Sequence, residues 1–414
     1  MKRALSVILL LALILFVPGC YDYSEPDDKA WILAIGFDKS KQNKLLVTTV
    51  IAVPKNIAGG SGGEPAGGGG GGAETFFTVT MEVPTMLSAL ELVNSAVDRR
   101  ADMSHTKWLV FSRELAEEGI ARHYAPLSRF YQFRRSTNVV ICEGRAEDFL
   151  KQGKPILEDN VGKYYELLMG GWRYADFIPF DTFHQFYMKS EEKGITAIAP
   201  LAALNRSESM SGNDAPQTSG EYQAGRIPRK GGGSIEIMGA AVFRKGRMVG
   251  TLNGNQVGVQ KLFFGTLKYT ILDLPDPKHP DDYIVVDVTP RSKPRVEVLI
   301  GEDGLPRISV RVDLEGSILN IQSGEEYEKP DRLAIVERAV ERALLEQINE
   351  AVFKSQEMGT DYLGLGLHAK KLFRTWSQWM AYDWDGKYPE ATVTVSVDYK
   401  VRRIGLIHEM APLQ

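Results

Sequence analysis

Residues Ala391-Thr-Val-Thr-Val-Ser-Val-Asp-Tyr-Lys-Val401 place an apolar or aromatic side chain at every odd position and a polar one at every even position. A period of two predicts a half-buried strand, with one face on a core and the other in water. Upstream, Pro330-Asp-Arg opens a helix predicted to run to about Glu357. Leu333, Val336, Val340, Leu344, Ile348 and Val352 recur there every three or four residues, and Glu, Arg and Lys fill the other faces. Before the helix, residues 283–288, 295–300 and 308–316 alternate as half-buried strands. One long helix against an antiparallel sheet makes an α+β layer. The expectation is therefore a mixed α/β chain of the α+β type, multi-domain, with that layer at 283–414.

Working toward the N-terminus, Ile235-Glu-Ile-Met-Gly-Ala-Ala-Val-Phe243 is a predicted strand. Arg244-Lys-Gly-Arg247 turns it back into Met248-Val-Gly-Thr-Leu252. With a short helix near 257–264 and a stretch rich in proline and acid, 235–282 is expected to be a small middle domain. Residues 205–234, with Ser-Glu-Ser-Met-Ser-Gly and Gly231-Gly-Gly, are expected to be a linker. Residues 20–204 alternate strands, such as Ala30-Trp-Ile-Leu-Ala-Ile-Gly-Phe-Asp38 and Lys107-Trp-Leu-Val-Phe-Ser112, with amphipathic helices. That order predicts an N-terminal α/β domain. Its stretch 58–72 ends in six consecutive glycines and has nothing to bury, so it is expected to be a flexible loop.

The first residues are of another kind. Lys2 and Arg3 precede an apolar run at 5–17. At about 1.5 Å per residue that run spans about 20 Å, short of the roughly 30 Å of a hydrocarbon core. It has the length of a signal-peptide core, giving a leader at 1–19. Val17-Pro-Gly-Cys20 looks like a bacterial lipobox, in which the cysteine takes a diacylglyceryl group and becomes the new N-terminus. The alternative is a plain secretory leader with Cys20 an ordinary thiol. Two or three acyl chains hold a protein stably on a bilayer.

The whole chain has 414 residues, 49 basic and 53 acidic side chains, and a net charge of −4. That balance gives no electrostatic case for nucleic-acid binding and makes the lipid, not a basic surface, the expected anchor. Two cysteines cannot build a disulfide framework or a cysteine zinc site. Cys142 lies in a strand-like apolar run and is expected to be buried and inert. The six histidines form no HExxH and no pair at four-residue spacing, and there is no GxSxG or P-loop. No metal, cofactor or catalytic residue is expected.

Five stretches, in order after the lipobox, resemble the Ger(x)C spore germination lipoproteins. They are Ile32-Leu-Ala-Ile-Gly-Phe-Asp38; Ser104-His-Thr-Lys107 with Glu114-Leu-Ala-Glu-Glu-Gly119; and Gly239-Ala-Ala-Val-Phe-Arg-Lys-Gly-Arg-Met-Val-Gly250. The last two are Asp361-Tyr-Leu-Gly-Leu-Gly366 on to Trp376, and Trp384 through Arg402-Arg-Ile-Gly-Leu406. The resemblance implies a non-catalytic C subunit of a nutrient germinant receptor, lipid-anchored on the outer face of the spore inner membrane. It implies partnership with A and B membrane subunits. The glycine insert at 58–72 departs from the family pattern.

Candidate partner contacts are His105 and Lys107 at a strand start, Trp376, Trp379 and Trp384 in an aromatic cluster, and Arg402 and Arg403 on the last strand. Each also has a plain structural reading: hydrogen bonding and a solvated ammonium, core packing, and edge protection. Two rival functions follow from the residues alone. A solute-binding lipoprotein that feeds a transporter would show two α/β lobes joined by several hinge crossings. A cell-envelope hydrolase would show a pocket of convergent acids.

Overall fold

The most continuously apolar strands sit at the centre of the larger sheet. The computed structural model describes residues 25–41, 44–54, 75–205 and 218–403. Cys20, the stretch 58–72 and residues 404–406 lie outside the described residues. The first sheet contains β1 (Lys29–Lys39), β2 (Leu45–Ala52), β3 (Phe76–Val83), β4 (Arg100–Asp102), β5 (Trp108–Ser112), β6 (Asn138–Cys142), β7 (Ile198–Leu204), β8 (Ile235–Arg244) and β9 (Arg247–Leu252). Their order is β3-β2-β1-β5-β6-β7-β8-β9, with β4 also pairing β1. The strands β1, β5, β6 and β7 run parallel, and antiparallel hairpins close both flanks.

A parallel strand must be covered on both faces, which explains why all five residues of β5 are buried. Alternate residues feed two cores. Ile35, Phe37, Leu109, Phe111, Val139 and Ile141 meet α1 (Met86–Val93) and α2 (Arg113–Glu118). Ala34, Trp108, Val110, Val140 and Cys142 meet α3 (Ala146–Gln152) and α4 (Val161–Met169) on the other face. α5 (Phe183–Glu191) packs with the first set.

The end of β1 shows why Gly36 and Asp38 stand where they do. A Cβ on Gly36 would lie 2.8 Å from Leu150 Cδ1, so glycine lets α3 lie on the strand. Asp38 then accepts from the Ala146 and Glu147 amides at 2.7 and 2.9 Å, satisfying the open N-terminus of that helix.

The segment 235–282, expected as a small middle domain, is divided between the two sheets. Its hairpin pairs with β7 and completes the first sheet. The turn uses positive φ at Lys245 and Gly246, the two-residue geometry whose twist suits a hairpin. The composition break at 205–234 thus joins two neighbouring strands. After β9 the chain forms α6 (Gly254–Phe263), whose residues are nearly all buried, and enters the second sheet.

That sheet holds β10 (Thr270–Pro275), β11 (Tyr283–Pro290), β12 (Arg295–Ile300), β13 (Pro306–Ile321) and β14 (Thr392–Arg403). The strands β10 to β13 are antiparallel to their neighbours. The final strand differs from the antiparallel expectation: β14 runs parallel to β13. Between them lies α7 (Leu333–Glu357), and a strand that follows a crossover helix returns in the same direction as the strand before it. Val336, Val340, Leu344, Ile348 and Val352 of α7 are buried against this sheet. On the outer edge of β14, the amides of Tyr399 and Val401 donate to Glu341 and Glu337 of α7 at 3.1 and 3.0 Å.

The two sheets are joined through the loop 358–366. The Thr196 amide donates to the Asp361 carbonyl at 2.9 Å. The fully buried Asp361 carboxylate accepts from the amides of Leu365 and Gly366 at 3.0 and 2.6 Å and from the Trp384 indole at 3.1 Å. Gly194 and Gly366 meet face to face, and a Cβ on Gly366 would lie 2.5 Å from the Gly194 Cα. Burial pushes the Asp361 carboxyl up to about 7, against the pull of its N–H donors. Asp361→Ala strands three buried donors and is expected to cost about 3 kcal/mol, read as a lower urea midpoint. The folded carboxyl holds its proton up to about pH 7 and the unfolded one only to its ordinary value of 3.8. Its contribution to stability is therefore greatest below pH 4 and falls as pH rises to about 7. Asp361→Asn is expected to remove that slope in denaturation curves measured across the window.

Candidate functional site

The strands β1, β5 and β6 run in one direction, so their starting ends share one edge of the first sheet. The loops that lead into them are tied to the sheet. The Thr106 hydroxyl donates to the Ile32 carbonyl, and the Thr137 hydroxyl to the Thr106 carbonyl, both at 3.0 Å. The Lys107 amide donates to the Leu33 carbonyl at 2.8 Å. These bonds hold His105 and Lys107 outward on a fixed base.

His105 stands edge-on to Trp31 of β1, with ring centroids 4.4 Å apart. Lys29 lies 5.1 Å from the Trp31 ring and 3.0 Å from Asp102. Burial, followed by the Arg134 and Lys107 charges, holds the imidazole below its usual range, so the ring is uncharged at neutral pH. Lys107 meets Glu166 of α4 at 3.2 Å, and Lys163 meets the same carboxylate at 3.4 Å. The two ammonium groups, Lys107 foremost, hold the Glu166 carboxyl below its usual range. Beside this cluster opens a cleft of about 450 Å³ lined by His105, Lys107, Arg134, Lys163 and Arg173. Its other wall carries Trp172, Tyr174 and Phe180.

The sequence singled out His105 and Lys107 but not Arg134, Lys163, Glu166 or Arg173. Those four come from two other segments, the loop before β6 and the helix α4 with the turn after it, which pack at the same edge. The adjacent Arg134-Arg135 was the available signal. Among the described residues, no group of three or more His, Cys, Asp or Glu side chains converges to hold a metal ion.

The other candidates lie elsewhere. Trp379 and Trp384 are 1% and 0% exposed and belong to the core of the second layer, so neither offers a contact surface. They fall in α8 (Trp376–Tyr382) and α9 (Trp384–Lys387) and pack against Phe373, Tyr382 and Tyr388. Trp376 is 55% exposed, with the Lys370 ammonium 4.9 Å from its ring. Arg402 pairs with Glu315 of β13 at 3.3 Å, and Arg403 is exposed beside it. No hydrogen bond, ion pair or ring contact among the described residues joins His105 or Lys107 to Trp376, Arg402 or Arg403. Trp379→Ala is expected to cost about 3–5 kcal/mol by opening a core cavity. Trp376→Ala should stay within about 0.5 kcal/mol; thermal unfolding of the two variants checks the contrast.

Comparison with known proteins covers nearly the same ground. Residues 22–204 match the family described as the spore germination protein N-terminal domain. Residues 238–405 match spore germination B3/GerAC like, C-terminal. The chain is 26% identical to spore germination protein KC of Bacillus subtilis (strain 168), over 98% of this chain and 97% of that one. It is 19% identical to spore germination protein GerQC of Bacillus cereus, over 96% of this chain and 98% of that one. The crystal structure of the GerBC protein shares the fold, with a TM-score of 0.52 at 14% identity, covering 89% of this chain and 96% of that one.

Proposed function

The chain belongs to the Ger(x)C family of spore germination proteins, and from that premise we propose that it is the lipid-anchored, non-catalytic C subunit of a nutrient germinant receptor. The observation that carries the reading is the pair of family matches, in order, across almost all of the chain that follows a lipobox. The proposed partners are the A and B membrane subunits, and the proposed place is the outer face of the spore inner membrane. No helix among the described residues is long and apolar enough to cross a membrane. In this reading the acyl chains on Cys20 supply the attachment. The mechanism is spatial: tethering raises the local concentration of the body's contact faces, so that weak interfaces hold an assembly.

The solute-binding alternative needs two lobes that hinge over a ligand. Among the described residues the strand order passes from the first sheet to the second once, between β9 and β10. The junction is filled by Gly194 against Gly366 and by the buried Asp361 network. A packed junction with one crossing favours a single rigid body over a closing pair of lobes.

Cys20→Ala is expected to move the protein from the membrane fraction of spores to the soluble one and to reduce nutrient-triggered germination. Unchanged retention with normal germination refutes the anchoring role. Calorimetric titration of the purified protein with amino acids and sugars separates the rival: tight binding by this chain alone favours solute capture.

A further inference from the structure

We propose that the cleft at the starting edge of β1, β5 and β6 binds the phosphate headgroup of an anionic membrane lipid, and that this edge of the first sheet faces the bilayer. The orientation rests on the lipid-anchor reading above; the cleft's chemistry stands apart from it.

Charge is the first observation. The chain is net acidic, yet Lys107, Arg134, Lys163 and Arg173 converge on one cleft of about 450 Å³. Its lining holds a single carboxylate, Glu166, which Lys107 and Lys163 already share. Arg134 and Arg173 have no carboxylate partner among the described residues. Two arginines with free donor forks and a net positive lining suit a phosphate, which accepts in-plane pairs of N–H bonds. Trp172 also lines the cleft, and its buried indole N–H has no acceptor among the described residues.

The rim is the second observation. Leu167, Tyr174 and Phe180 line the same cleft and are exposed, Tyr174 by 80%. Apolar and aromatic side chains around a basic site match the boundary between headgroups and acyl chains, where tyrosine is favoured. A small soluble anion has no use for such a rim.

Chain length is the third. β1 enters the sheet at this edge, and its Trp31 touches His105 at the cleft. Glu25 lies six residues before Trp31, and Cys20 five before Glu25. Cys20 to Trp31 is eleven residues, a reach of at most about 40 Å, so a lipid on Cys20 limits how far the cleft can lie from the bilayer. The acids Glu25, Asp27 and Asp28 precede β1 and do not line the cleft.

The test uses the mature lipidated protein reconstituted into two kinds of vesicle, one of phosphatidylcholine and one that also contains phosphatidylglycerol. Each carries a trace of headgroup-photoactivatable phosphatidylglycerol. The expected result is labelling within 104–107, 134–138 or 163–174. Arg134→Glu combined with Arg173→Glu should lower that labelling about tenfold. Arg402→Glu combined with Arg403→Glu, equally exposed but outside the cleft, should leave it unchanged. Unlabelled phosphatidylglycerol should compete and phosphatidylcholine should not. Anchored protein with no labelling of these segments, or labelling indifferent to the cleft variant, overturns the proposal. So does displacement by inorganic phosphate as effective as by the lipid. A cleft variant that labels normally but no longer co-purifies with membrane subunits assigns the cleft to an acidic protein partner and also overturns it. Failure to stay on either vesicle type is a different result, which refutes the anchor rather than the cleft.

Discussion

A single buried carboxylate holds the junction on which the rest of the molecule depends. Asp361 turns the loop after α7 by accepting from two backbone amides and fixes Trp384 through its indole N–H. Its own carbonyl receives the Thr196 amide, just ahead of β7 in the first sheet. One residue therefore orders the loop, seats the aromatic core of the second layer and joins that layer to the first. Burying a carboxyl is costly unless its oxygens are hydrogen-bonded, and here three N–H donors bond them. The two facing glycines are the steric counterpart: the backbones approach closely because neither position carries a side chain.

In the proposed lipid-anchored subunit, that junction keeps the two layers in one fixed arrangement. With the junction packed, the cleft edge of the first sheet, the exposed Trp376 and the end of β14 keep fixed positions relative to one another. Each can then be presented to a different neighbour at once, and contacts that are individually weak add up.

Much of the architecture was legible in the sequence, and the failures have definite causes. Periodicity found α7 and β14 because each has one environment per face. It missed the parallel pairing of β14, because alternation reports which face is buried and says nothing about the direction of the neighbouring strand. The division of 235–282 was missed because a glycine- and serine-rich stretch looks the same whether it separates domains or links two strands of one sheet. The aromatic cluster was visible as a cluster, but only packing distinguishes the buried Trp379 and Trp384 from Trp376 on the surface. His105 and Lys107 drew notice by local pattern. The arginines beside them did not, since their neighbourhood is created by widely separated segments that pack at the same edge.

The outer margin of β14 shows how one helix face can perform two services. A bare strand margin offers its amides to any passing chain and so invites stacking into ordered aggregates. Here two glutamates reach from α7 to occupy the amides of Tyr399 and Val401. The acidic side of the helix, which looks like ordinary solvent-facing charge, thereby acts as a fender. In the proposed membrane-bound state, copies held on one plane meet far more often than in free solution, and a guarded margin keeps those collisions from becoming permanent.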